Sequence, residues 1–251
     1  MERPDPARRH AGISIFSTLR RLGDWLDQPG READPLLSQN RPGRSWFGAV
    51  QPGTAAPVID SAGVEGKIAG IAAIRVHDPV FSEEVFLAQV ERIFFAVLEA
   101  WTALKPGLSQ GVMAPVIWEE QRSQIQSYRA GGRRNPLDGL SLTSANVAGA
   151  SSDGKVDTLT VRINAASSDY DVDSAGQVVR GSRTVADWTE DWIFQRPATL
   201  TTAPVGTIVS QECPSCGARV TVDITTICPF CGAAVISGRF GWLLARIDRV
   251  L

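Results

Sequence analysis

Two periods divide this chain. Between residues 82 and 104 apolar side chains recur every third or fourth position, and beyond residue 137 they recur every second one. The first period predicts a helix, because Phe86, Val90, Ile93, Phe94, Val97, Trp101 and Leu104 fall on one stripe wide enough to cover a sheet. Ser82 stands where a side-chain oxygen caps such a helix. Glu83 and Glu84 favour its first turn, and Lys105-Pro106-Gly107 ends it. A second helix is expected over about residues 112–128, carrying Met113, Val116, Ile117 and Ile125. It stops before Gly131-Gly132-Arg133-Arg134-Asn135-Pro136, where the arginine pair reads as a solvated turn.

The period of two predicts strands over about residues 140–148, 158–166 and 178–183, with Asp173-Ser174-Ala175-Gly176 as a hairpin turn before the third. Asp169, Asp171 and Asp173 have the spacing that opens a calcium loop. Ser174 stands where that loop needs glycine and Arg180 where it needs a closing glutamate, so the hairpin is the better reading. The clearest alternation covers residues 187–196, where Trp188, Glu190, Trp192, Phe194 and Arg196 share one face. Phe240, Trp242 and Leu244 alternate in the same way near the end, and Ile247 follows. Helices first and strands afterwards predict an α+β domain with an antiparallel sheet.

Cys213, Cys216, Cys228 and Cys231 are the only cysteines, and they stand as Cys-Pro-Ser-Cys-Gly and Cys-Pro-Phe-Cys-Gly. Two Cys-x-x-Cys turns at this spacing, each followed by glycine, predict a zinc ribbon with one structural zinc in a closed tetrahedral site of four thiolates. The ribbon, residues 208–237, lies between the last two expected strands and is therefore an insertion at a strand connection. Disulfides would need an oxidising compartment, and a redox pair needs one such turn in a βαβ setting.

Upstream, residues 1–28 contain a basic amphipathic segment. Ile15, Leu19, Leu22 and Leu26 fall on one face, Phe16 and Trp25 flank it, and Arg8, Arg9, Arg20 and Arg21 supply charge. Phe16, Leu19, Arg20, Arg21 and Trp25 are the candidate contacts, either with an anionic membrane surface or with a protein. Residues 29–66, rich in Pro, Gly, Ser and Arg, read as a linker into a domain over residues 67–251.

The composition is that of a soluble globular protein, with 43% hydrophobic and 21% charged residues and a net charge of −2. That charge gives no general attraction to nucleic acid, and the ribbon contains one basic residue, Arg219, against Glu212 and Asp223. Nucleic acid is not an expected partner. No apolar run is long enough to span a bilayer, and the N-terminus does not read as a secretory signal. The expected location is a bacterial cytoplasm.

Asp78-Pro79-x-Phe81, then Phe86, Phe94-Phe95 and Ala100-Trp101, resembles the opening helix of the Tim-forty-four-like family. That family is named for the C-terminal domain of a peripheral subunit of the mitochondrial inner-membrane import translocase. Trp188-x-Glu190-x-Trp192-x-Phe194-x-Arg196 is similar to its characteristic strand, and Trp242-x-Leu244-x-x-Ile247 to its closing strand. Asp169-Tyr170-x-Val172-Asp173, Gly176 and Arg180-Gly181 also fit.

The resemblance implies a nuclear-transport-factor-2-like cone, a curved antiparallel sheet with packed helices enclosing an apolar pocket, here with the ribbon inserted. Phe86, Phe94, Trp101, Trp188, Trp192, Phe194 and Trp242 are then the expected pocket lining. It further implies a non-enzymatic scaffold that contacts a protein complex, peripheral on the inner face of the cell membrane. A carrier of a lipid or other apolar ligand is the alternative, and an enzyme in the cone is the third reading. An enzyme would need a titratable group facing inward, for which Asp157, Tyr170 and Asp171 are the candidates. His77 reads as a cap or an exposed side chain.

Overall fold

In a computed structural model, the described residues are 61–202, 209–222, 225–236 and 241–250. The amphipathic segment at 13–27, with Phe16, Leu19, Arg20, Arg21 and Trp25, lies outside them, as do linker residues 29–60 and Phe240. Three helices precede three long strands: α1 (Ser61–His77), α2 (Glu83–Thr102), α3 (Pro115–Ala130), β1 (Ser141–Ser152), β2 (Val156–Val172) and β3 (Val178–Pro197). Four short strands follow, β4 (Val209–Glu212), β5 (Arg219–Val222), β6 (Thr225–Ile227) and β7 (Ala234–Ile236), and then β8 (Leu243–Arg249).

The main sheet is antiparallel, in the order β1-β2-β3-β8. Register shifts within β1, β2 and β3 bend it. The two strands expected over residues 178–183 and 187–196 are one strand, because β2 continues to Val172 and pairs with β3 along its whole length. The hairpin turn lies where it is expected: Gly176, at φ +81°, donates its amide to the Asp173 carbonyl.

α2 follows its pattern closely. Ser82 caps it, its hydroxyl oxygen accepting from the Val85 amide, and Phe86, Val90, Ile93, Phe94, Val97 and Trp101 are buried. Burying each such side chain is worth about 1.5–3 kcal/mol, so this face anchors the helix on the sheet. Leu104 falls beyond the helix end, with φ at +55°.

α1 corrects the linker boundary, since residues 61–66 are helical. Its small residues have a purpose. A Cβ on Gly70 would lie 2.0 Å from the Ala150 carbonyl oxygen, so only glycine lets α1 approach β1 this closely. The second expected helix begins at Pro115 rather than near residue 112, because Gly111 and Met113 are taken up in bridges to two sheets, as described below.

Candidate metal centre

Each cysteine pair sits on a tight turn built in the same way. The Cys213 amide donates to the Ala218 carbonyl and the Gly217 amide to the Cys213 carbonyl, both at 2.8 Å. The second turn repeats this, Cys228 to Ala233 at 2.8 Å and Gly232 to Cys228 at 2.9 Å. Gly217 and Gly232 share φ +74°, a left-handed conformation that a side chain resists. Hairpins β4–β5 and β6–β7 carry the two turns and face them toward each other.

The result is a compact sulfur cluster. Cys213 Sγ lies 3.7 Å from Cys231 Sγ, and Cys216 Sγ lies 3.8 Å from Cys228 Sγ. All four sulfurs fall within 4.8 Å of one another. A disulfide needs about 2.05 Å, so these are thiols and not bridges. A tetrahedral ion with metal–sulfur bonds near 2.3 Å would set its ligands about 3.8 Å apart. The four cysteines therefore have the geometry to hold a metal ion.

Cys213 and Cys228 are buried among Val220, Ala233 and Val235. Burial alone would raise the Cys228 thiol. The Phe230 and Cys231 amides, with the thiols of Cys231 and Cys213, outweigh it and bring the group down to about 7.

This small domain is joined to the main sheet. Gly111 bridges Val235 of β7, and two residues later Met113 bridges Leu244 of β8, both in parallel. The Leu244 amide donates to the Val112 carbonyl at 3.0 Å, and the Ala114 amide donates to the Leu244 carbonyl at 2.8 Å. Residues 111–113 thus form a rung between the ribbon and the sheet edge. A Cβ on Gly111 would lie 2.6 Å from the Ala234 carbonyl oxygen, and one on Gly107 would lie 2.6 Å from the Ser215 hydroxyl oxygen. Ala234 belongs to the main core. The ribbon therefore contributes a residue to the main core.

The seven aromatics predicted to line a pocket are all buried. Phe86 packs edge-on against Phe194 and Trp242, with ring centres 5.5 and 5.3 Å away. Phe94 meets Trp188 at 6.0 Å and Trp192 at 5.5 Å, and Trp101 meets Tyr128 at 4.7 Å. The Trp188 indole N–H donates to the Ser167 hydroxyl, and that of Trp192 to Glu190.

The polar candidates are held in networks that sequence spacing does not reveal. Asp157 accepts from both Arg196 and His77, and His77 is half-buried rather than free. Asp171 accepts from Arg180, Tyr128 and Asn135, and Arg180 also pairs with Asp169. Tyr170 donates to Asp138. The partners of Asp157 lie 39 and 80 residues away along the chain, a distance at which only a fold could have joined them.

No curated protein sequence matches the chain. A family model described as the Tim44-like domain matches residues 68–206, which is more than half of the 251 residues. The chain therefore belongs to the Tim44-like family, and its α+β domain is of the nuclear-transport-factor-2-like kind.

Proposed function

We propose that this protein is a non-enzymatic scaffold that holds a protein partner at the cytoplasmic face of the membrane, with one structural zinc in its four-cysteine centre. Its membership of the Tim44-like family supports a membrane-associated, protein-binding role. The observation that carries the reading is on α1. Val64, Ile68, Ala72 and Val76 recur every fourth residue on the helix surface and are exposed, and Val80 extends the row just beyond it. Val76 is 83% exposed and Ile68 64%. An apolar row of this kind, opposite the face that packs on β1, is a surface for another molecule. Exposed Ile227 and Phe230 on the ribbon add a second one.

The candidate acids also fit a scaffold better than an enzyme. Asp157 and Asp171 are each committed to an arginine and to further donors that join separate elements. Among the described residues no helix is long and apolar enough to cross a membrane. The proposed attachment is peripheral, through residues 13–27.

Affinity capture from the native cell, comparing the unchanged protein with Ile68→Glu/Val76→Glu, tests the scaffold reading. A partner lost from the folded variant is the expected result, and a partner retained equally by both counts against it. Flotation with anionic vesicles tests attachment: the full chain should float at low salt, and a chain starting at Pro29 should not. A carrier reading has narrower support. The Gln89 Nε2 and Trp101 Nε1 donors are buried without a partner among the described residues, and a lipid found by native mass spectrometry would favour it.

A further inference from the structure

Far from the cysteine centre, the loop that ends α3 meets the β2–β3 turn. Between them is a concavity of about 300 Å³ lined by Arg129, Arg133, Arg134, Asp173 and Ser174, with Leu104 at its margin. That volume lies at the lower end of the range for small-molecule sites. Its charge is unbalanced. Among the described residues, none of the three arginines forms an ion pair. The nearby carboxylates are engaged elsewhere. Asp169 and Asp171 hold Arg180, and one oxygen of Asp173 accepts from the Ala175 and Gln177 amides at 2.9 Å each.

The frame around this concavity is fixed. Arg134 exchanges two backbone hydrogen bonds with Val172, at 3.1 and 2.9 Å. Beneath lies the buried set of Tyr128, Asn135 and Asp171. Gly132, at φ +61°, faces Ser174 across the two loops, where a Cβ added to the glycine would lie 3.8 Å from the serine Cβ. Three arginines therefore line a hollow whose backbone frame is already fixed by hydrogen bonds.

We propose that this hollow binds a phosphate group, carried either by a small phosphomonoester or by a lipid headgroup. Arginine forks match phosphate oxygens in pairs, and three positive charges against one carboxylate leave net charge for a dianion. The carbonyl end of α3 opposes an anion, but only with about half a charge. The Gly131, Gly132 and Arg133 amides further occupy its last carbonyls, at Ser127, Arg129 and Tyr128. The arginines outweigh it. This site is independent of the scaffold reading and of the metal.

The test titrates the full-length protein with inorganic phosphate and with glycerol 3-phosphate, followed by amide nuclear magnetic resonance. Saturable shifts confined to residues 129–134 and 173–176 are the expected result. Arg133→Gln/Arg134→Gln should weaken binding by roughly tenfold or more. Arg122→Gln/Arg246→Gln, which removes the same charge elsewhere, should leave it unchanged. Weaker flotation on phosphatidylglycerol vesicles in the first variant than in the second would identify a headgroup as the source. Binding of the soluble phosphates with no such difference in flotation would identify a free phosphomonoester. No saturable shift with any probe, or equal losses in both variants, overturns the proposal.

Discussion

Arg196 and Asp78 form an ion pair in which both side chains are fully buried, with Nη2 and Oδ2 2.9 Å apart. The same Nη2 lies 3.0 Å from Asp157, and the guanidinium rests over the Trp242 ring at 4.6 Å. Thr202 closes the group, donating its amide and hydroxyl to Asp78 at 3.0 and 2.7 Å. One cation thus joins the end of α1, the start of β2, the end of β3 and the residue that precedes β8. Arg196→Met would leave two buried carboxylates without their counter-charge. It should cost about 3–5 kcal/mol of stability in urea unfolding, the amount expected when half of a buried pair is removed. A loss under about 1 kcal/mol would mean that the cluster is hydrated and contributes little.

Removal of the proposed zinc should reach further than the ribbon. The unchanged protein should carry one zinc per chain by elemental analysis, and Cys213→Ser or Cys228→Ser should abolish it. The main sheet should remain folded in both variants. The amides of Leu244 and Ala114, which pair with residues 112 and 244, should nonetheless exchange hydrogen faster. Unchanged exchange at these two amides would show that the rung holds without the metal.

The tightest contact between helix and sheet is open to a single methyl group. Gly70→Ala would place Cβ 2.0 Å from a main-chain oxygen that cannot move aside, so α1 must lift from β1. A loss of about 1–3 kcal/mol in thermal or urea unfolding is expected. Gly66→Ala, with nothing within 4 Å of the new atom, serves as the comparison and should be neutral or stabilising.

The alkaline limb of stability should depend on Tyr128. Burial, and next the charge of Asp171, raise its phenol well above the ordinary tyrosine value. The unfolded chain loses this proton near pH 10, whereas the folded protein keeps it. Above that pH the unfolded state binds fewer protons, so stability present below pH 10 falls as pH rises toward the folded value. Tyr128→Phe should reduce this slope, measured by urea unfolding at successive pH values above 9. Tyr170, raised first by its bond to Asp138, supplies a residual slope of the same sign. A variant as steep as the parent would remove Tyr128 from this account.

What was legible in the sequence was whatever a local rule could express. The Ser82 cap, the α2 stripe, the alternation from Trp188 to Arg196 and the two cysteine turns each arise within a few neighbouring residues, and the structure contains them all. α1 is not legible as a helix because Gly63, Gly66 and Gly70 weaken one in isolation, and the reason for Gly70 is a strand 80 residues later. β3 was divided because its first half, from Val178 to Asp187, is largely exposed and gives no clean alternation. The role of Arg196 could be read as a position on a face but not as a partner of Asp78, which lies on another element. Arg133 and Arg134 looked like a solvated turn, and the β2–β3 turn that makes the hollow with them is distant in sequence.

With the proposed zinc closing the ribbon, the rung at residues 111–113 would tie the outer edge of the sheet to metal supply. With the ribbon closed, Leu244 has a hydrogen-bonding neighbour on each side, from Phe194 of β3 and from residues 112–114. A chain made while zinc is scarce would hold that rung loosely and present β8 as an open strand edge, the feature through which sheets recruit one another into aggregates. The ribbon is in this sense a guard on solubility, and zinc-starved cells should move this protein from the soluble to the pelleted fraction before its main core unfolds.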